Sequence, residues 1–533
     1  MPGDGGDPGA GEPRRARRLA LNTAFFSFAT GLSRVAGLAR EVVAASLFGV
    51  SGAMSAFTIA FAVPNLVRAL FADSALQGAF VPIFTELLER GERREAFRLA
   101  SSLFLLISLV LGALTVAFVL VAPVLMPLLV PGLGPELRAL TVGLSQLLFP
   151  IVLLLALSGL AVGMLNAFEH FTVPALAPLA WNGVIIVALV VGPGLLPAGR
   201  EIYAYAIGVL LGTVVQLLLP LPWLRGRGGG FTFSLRWSPA AGRVLALMVP
   251  VTVALGLINV SLVINGVLGT LVSDEVAAAI DKAFRLYMLP QGLFSVAIAT
   301  ILFPVLSRFA TRRAFGDLRR TMANGVGQIC LLLIPSAVLL GVLAEPITRV
   351  VYERGAFDAR ATDLVAQALV WWSLSLPFQG VSLLFSRTFF SLQRPWATTA
   401  LAGLNMAVNV GVLAALFRPF GIGGIVFGTV VGTVVMAVAQ GWVLRRALGG
   451  IEGGALLASG ARIVVAGAAL AAVALGTFAA LDGALGASLP AQALAVAVAA
   501  GAGLAVYAAA VWALRVPEAR QIGALVGGRL RRS

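Results

Sequence analysis

Cysteine, histidine and lysine are almost missing from this chain of 533 residues: Cys330, His170 and Lys282 each stand alone. One cysteine allows no internal disulfide and no thiolate metal cluster. One histidine removes paired-imidazole zinc sites and leaves little for histidine acid–base catalysis. Lys282 lies in no G-x-x-x-x-G-K frame, so no phosphate-cradling ATPase loop can be built. Charge is scarce too: 11% of residues are charged and 59% are hydrophobic, with a mean hydropathy of +0.98. A soluble chain carries about 25% charged residues, so a water-soluble enzyme is excluded. The net charge of +15 is almost wholly arginine. In a soluble chain that would point to nucleic acid; in a membrane chain it is read first against topology.

What is present instead is long apolar runs. A membrane-crossing helix needs about 20 mostly apolar residues. Fourteen candidates run roughly over 19–48, 53–88, 99–130, 139–168, 171–194, 201–224, 243–272, 277–307, 321–345, 364–392, 396–417, 421–444, 455–481 and 490–514. The second and eighth are long and interrupted by prolines, Pro64 and Pro82 in one, Pro290 and Pro304 in the other. Such breaks are tolerated at membrane depth where neighbouring helices or a cavity satisfy the freed backbone groups. The Gly/Pro/Asp-rich start reads as a disordered tail. The apolar run after it holds Arg34 and Arg40 and ends in no A-x-A cleavage site, so it reads as a retained first span.

Arginine is distributed unevenly between the two sets of span ends. One set holds the clusters at 14–18, 90–98, 225–243, 308–320, 394, 445–446 and 515–532; the other holds only Arg138, Arg200, Arg349, Arg354, Arg360 and Arg418. The positive-inside rule makes the first set cytoplasmic. Fourteen spans then put both termini in the cytoplasm. Most of the positive charge is thereby explained with no nucleic acid. The largest hydrophilic loop, around 346–362, has room for a turn or a short helix and no domain.

The chain also repeats itself. The stretch from Pro64 (PNLVRALFADSALQGAFVPIF) and the stretch from Pro290 (PQGLFSVAIATILFPVLSR) share a leading proline, a second proline after a phenylalanine-rich step, and an arginine-rich cytoplasmic end. Six spans separate the copies, so both run the same way. That is a parallel repeat of the two-lobed transporter kind. The expected organisation is a cytoplasmic tail (1–18), an N-terminal lobe of six spans (19–242), a C-terminal lobe of six (243–450), two added spans (451–515) and a basic cytoplasmic tail (516–533). The fold class is an all-α integral membrane protein of about fourteen transmembrane helices.

Several charges fall inside the spans: Arg34, Arg40 and Glu41 in the first, Arg68 and Asp73 in the second, and Asp281, Lys282 and Arg285 in the eighth. Four arginines facing lipid would cost on the order of 10 kcal/mol together. They therefore face a wet cavity, pair in structural ion bridges, or snorkel to an interface. Asp281 lies one turn from Arg285 and is placed to pair with it. Arg34 and Arg40 are six residues apart, about 120° out of line on an ideal helix, and a bend at Gly37 is needed to aim both at one cavity. Arg40 and Glu41, being neighbours, are not expected to face each other. Arginine's planar, always-charged fork suits phosphate and diphosphate, so an anionic substrate is expected. Asn265, Asn405, Asn409 and Thr429 are polar residues in the seventh, eleventh and twelfth spans. They suit interhelical hydrogen bonds, or a shared water or monovalent cation. Gly424, Gly428 and Gly432 stand at close-packing spacing.

Four segments, SRVAGLARE (33–41), AFAVPNLVRALFADSALQGAFVPIF (60–84), RLYMLPQGLFSVAIATILFPVLSR (285–308) and YERGAFDARAT (352–362), resemble the MurJ/MviN family of lipid II flippases, within the multidrug/oligosaccharidyl-lipid/polysaccharide exporter superfamily. The resemblance runs in order from about residue 19 to about 450. It implies two six-helix lobes. It also implies transport of the undecaprenyl-diphosphate-linked disaccharide-pentapeptide from the inner to the outer leaflet of the bacterial cytoplasmic membrane, for peptidoglycan synthesis. Arg34, Arg40, Arg68 and Arg285 match the family's cavity arginines, and Glu41 stands where an aspartate is common. Three acids found in many members are replaced here, by Ser55, Met288 and Asn265. Some members hold a cation around the seventh, eleventh and twelfth spans; in this chain its charge complement is reduced. No catalytic residue, metal or cofactor beyond such a cation is expected. Expected partners are lipid II, membrane lipids and other cell-wall synthesis proteins. The competing reading is an exporter of another polysaccharide precursor or a drug. Drug exporters usually take cations, which an arginine-lined cavity disfavours. A membrane glycosyltransferase would need catalytic carboxylates and an outer domain, and a scaffold would leave the buried arginines without a purpose.

Overall fold

The computed structural model describes residues 12–71, 74–168, 170, 172–224, 240–244, 260, 263–486 and 488–520; among these there are helices and no strand. Ten of the described helices are long and apolar enough to cross a membrane. They include Arg93–Leu129, Pro135–Ala167, Thr172–Val191, Val276–Thr311, Ala359–Ser391, Gly453–Leu485 and Leu489–Ala513. Trp396–Ala447 is one unbroken helical stretch by its hydrogen bonds, yet Gly421 inside it has φ 54° and ψ −130°. It is two helices meeting at a corner, which matches the spans read at 396–417 and 421–444. The seventh span, read at 243–272, lies largely outside the described residues, of which 263–269 are helical.

The chain divides into two compact units. The first comprises Met1–Phe48, Ile59–Leu129 and Gly134–Asn259; the second comprises Gly49–Thr58, Val130–Leu133 and Val260–Ser533. The copy of the repeat that starts at Pro64 falls in the first unit and the copy that starts at Pro290 in the second.

In the first unit, α1 (Glu12–Phe48) packs along α7 (Thr172–Val191), and α7 packs on α8 (Tyr203–Leu218). Helix α1 begins at Glu12, so residues 12–18, read as part of a disordered tail, are helical. Pro13 is tolerated in a first turn because its missing N–H has no helical acceptor there, and the Arg/Ala run after it consists of good helix formers. Between them lie α2 (Gly52–Phe71), α3 (Ser74–Glu89), α4 (Arg93–Leu129), α5 (Pro135–Leu148) and α6 (Ile151–Ala167). Pro64 and Pro82 sit inside α2 and α3. The core of this unit is phenylalanine-rich: Phe84 is fully buried and lies 5.0 Å from Phe80 and 6.0 Å from Phe97 and Phe168, ring centre to ring centre.

In the second unit, α9 (Val276–Pro290) runs through a π-helical turn, Gln291–Ser295, into α10 (Val296–Thr311). The turn follows directly on Pro290, whose ring displaces the carbonyl one turn back and whose missing N–H frees it. Beyond are α11 (Phe315–Val342), the short α12 (Ala344–Tyr352), α13 (Ala359–Ser391), the cornered α14 (Pro395–Ala447), α15 (Gly453–Leu485) and α16 (Leu489–Ala513). Helices α15 and α16 pack on each other, and α15 on α11. Val516 and Ala519 of the C-terminal segment are buried against Leu331 and Ile463.

The loop expected at 346–362 is a compact knot. Tyr352 and Phe357 are buried with rings 5.5 Å apart. Asp358 caps α13 by accepting from Ala361 N at 2.8 Å, and Thr362 donates to Glu353 at 2.6 Å. Gly49, at φ 59°, presses on the Ala356 carbonyl so closely that a Cβ there would lie 2.3 Å from its oxygen. Much of the YERGAFDARAT motif is thus a structural closure.

Candidate functional site

Arg40 is the most constrained of the expected cavity residues. Its side chain is buried in the first unit, as is that of Glu41. The guanidinium donates from Nη2 to Glu41 Oε1 at 2.5 Å and from Nη1 to Asn182 Oδ1 at 3.2 Å, and lies over the Trp181 ring at 4.8 Å. The two neighbours do bind each other, contrary to the expectation from helix spacing. The arginine stem is long enough to turn its fork back over the adjacent carboxylate, and burial makes that pairing necessary. Asn182 and Trp181 are not among the residues that the sequence singles out. The available signal is an adjacent Trp-Asn pair in the middle of an otherwise apolar span.

Arg34 stands differently. It is exposed and makes no hydrogen bond or ion pair among the described residues. Helix α1 continues unbroken through Gly37, where a Cβ would make only an ordinary contact, 3.9 Å, with the Asn182 side chain. The bend expected to align Arg34 and Arg40 is therefore not used, and the six-residue spacing keeps one in and one out. Arg68 is half-buried. It clamps Asn65 Oδ1 with Nε at 3.0 Å and Nη2 at 2.8 Å, so the P-N-L-x-R motif includes an i,i+3 fork on one helix turn.

Arg285 belongs to the second unit. It donates to Asp281 at 3.2 Å, the one-turn pair the sequence indicated, with 39% of its side chain exposed. Next to it Phe284, Tyr287 and Trp372 form an aromatic wall with ring centres 5.0–5.9 Å apart. Lys282 is fully buried. The described groove between α7 and α8, about 760 Å³ and lined by residues such as Val184, Val187 and Leu211, carries no charged residue and offers nothing to a diphosphate.

The four polar residues expected around a cation form a neutral node in the second unit. Asn265 Nδ2 donates to Thr429 Oγ1 at 2.9 Å, and Thr429 to Asn409 Oδ1 at 3.5 Å. Asn405 lies one turn away and turns its amide to Met436 Sδ at 3.4 Å. Gly428 and Gly432 make room for these amides: a Cβ at Gly432 would stand 2.6 Å from Asn405 Oδ1, and one at Gly428 would stand 3.0 Å from Asn409 Oδ1. No group of three or more His, Cys, Asp or Glu side chains able to hold a metal occurs among the described residues. Among the described residues Asn265 Oδ1 and Asn409 Nδ2 are buried and have no hydrogen-bond partner, at a cost of about 1–3 kcal/mol for each unmet group. None of the four side chains carries a formal charge.

The family model for the lipid II flippase MurJ matches residues 44–493. A probable lipid II flippase MurJ of Synechocystis sp. is 30% identical over 455 residues, covering 82% of this chain and 84% of the relative. The lipid II flippase MurJ of Burkholderia cenocepacia is 34% identical over 356 residues, covering 65% of this chain and 68% of its own. Among solved structures, a lipid II flippase MurJ in an inward closed conformation superposes with a TM-score of 0.75 at 22% identity, covering 92% of this chain and 99% of that one. An inward-facing multidrug resistance MATE family transporter superposes at 0.67 with 16% identity, covering 78% and 94%. At these identities the structural matches speak for the fold.

Proposed function

We propose that this chain, which belongs to the lipid II flippase MurJ family, moves lipid II from the cytoplasmic to the outer leaflet for peptidoglycan assembly. The observation that carries the reading is the family match over residues 44–493, joined to an arginine set that the sequence retains in full.

Lipid II presents a diphosphate, and arginine answers it with a bidentate, permanently charged fork. Arg34 and Arg68 meet the head group on the first lobe and Arg285 on the second. Arg40, paired with Glu41 and held by Asn182 and Trp181, fixes the polar interior of α1. Exposed Arg34 is the first to meet the incoming anion. Arg68 and Arg285 are held locally in part by Asn65 and Asp281.

The large polar head group crosses by alternating access, the cytoplasmic side being set by the arginine-rich ends. Both termini are cytoplasmic. The prenyl tail stays in the bilayer against α15 and α16, which lie outside the repeat. Outward movement of a diphosphate down an inside-negative potential is favourable by about 2.3 kcal/mol per charge per 100 mV. The potential therefore drives transport or resetting with no need for ATP.

The test is complementation of a flippase-depleted bacterium, with lipid II accumulation as the readout. The chain restores growth and clears accumulated lipid II; accumulation that persists in cells expressing it at the membrane contradicts the reading.

A further inference from the structure

The polar node of the second unit has a direction. The Asn265 amide donates to the Thr429 hydroxyl, and that hydroxyl donates on to the Asn409 carbonyl oxygen. At one end an acceptor is left over, Asn265 Oδ1. At the other a donor is left over, Asn409 Nδ2. Both residues are almost completely buried, at 2% and 1% exposure. Neither atom finds a partner among the described residues.

We propose that this node holds a water molecule and takes no alkali cation, so that the flippase proposed above runs without Na⁺ or K⁺ bound at this place. Water both gives and receives, so it can accept from Asn409 Nδ2 at one end and donate to Asn265 Oδ1 at the other. Polar sites with several such partners are where buried waters reside. An alkali cation is a hard ion that wants oxygens on every side. Here it would face the Asn409 N–H, and one of the two lone pairs of the Thr429 hydroxyl is already taken by the Asn265 amide. Turning the Asn409 amide would offer a second oxygen, but it would still supply no negative charge, and an uncompensated charge inside a membrane bundle is strongly disfavoured. One turn away Asn405 donates its amide nitrogen to Met436 Sδ and adds no negative charge either.

The node can be examined apart from transport. The purified full-length chain is unfolded thermally in NaCl, KCl, LiCl and choline chloride at one ionic strength. The wild-type midpoint is expected to be the same in all four salts within about 1 °C. The Asn265→Asp/Asn409→Asp protein, or Asn265→Asp alone if the double variant does not fold, is expected to gain a saturable rise of roughly 3 °C or more with one alkali cation over choline. A wild-type midpoint that rises saturably with any alkali cation overturns the proposal. So does a folded Asp variant that ignores all of them, because the missing carboxylates would then not be what keeps a cation out. A failure of lipid II transport leaves both measurements unaffected, so the two readings fail separately.

Discussion

Arg40 and Asn182 are joined by a 3.2 Å hydrogen bond between α1 and α7, and the same Asn182 side chain reaches the Ser33 carbonyl at 3.5 Å. One amide thus ties the guanidinium to the backbone of α1 about two turns earlier. The arginine's direction is set by a residue far away in sequence. Asn182→Leu is expected to lower stability by about 1–3 kcal/mol, the usual cost of stranding a buried charged donor. Lipid II flipping should fall at least about tenfold. Thermal unfolding and a flipping assay on the same preparation check both, and wild-type values in each would remove Asn182 from the account.

Arg34 and Arg40 should separate in their effects. Arg34 is exposed and unpaired among the described residues, so Arg34→Ala should leave stability within about 0.5 kcal/mol while abolishing complementation. Arg40→Lys should lose both stability and function, because a point-charge ammonium cannot reach Glu41 and Asn182 and lie flat on Trp181 together. Equal unfolding midpoints for the two variants would contradict this division.

Gly49 should tolerate no side chain. Its φ is 59°, and a Cβ would fall 2.3 Å from the Ala356 oxygen, so neither conformation nor space is available. Gly49→Ala is expected to destabilise by at least about 2 kcal/mol. Because the affected contact closes the knot at 352–362, limited proteolysis should show earlier cleavage there. Unchanged protease resistance would show that the knot closes without this contact.

The driving force is testable in liposomes. An imposed inside-negative potential, with sidedness matched to the cell, should speed flipping or resetting, and ATP should have no effect. Rates indifferent to potential would leave passive scrambling.

Most of the fold was legible because membrane insertion writes itself into hydropathy. Spans such as 99–130 and 364–392 match described helices to within a few residues at most ends, and the corner at Gly421 was visible as a break between 417 and 421. Of the two prolines read as interruptions in the eighth span, Pro290 leads directly into the π-turn, whereas Pro304 lies inside the continuous α10. Arg285 with Asp281 was legible as a one-turn pair. The Arg40 cluster was not, for two reasons. Its partners Asn182 and Trp181 lie on a distant helix, and local periodicity is silent about distant helices. The pairing with Glu41 depends on the reach of the side chain rather than on helix geometry. The node at Asn265, Asn409 and Thr429 was legible as a polar set. Its hydrogen-bond direction, which decides between a cation and water, exists only once the three residues meet.

Lipid II flipping by the purified chain in liposomes, compared with Arg40→Ala in the same lipid, tests the central claim most directly. Wild type should move lipid II to the opposite leaflet well above protein-free vesicles, and Arg40→Ala should be slower by at least about a hundredfold while still reconstituting. Wild-type protein no faster than empty vesicles, or Arg40→Ala as fast as wild type, would contradict the account.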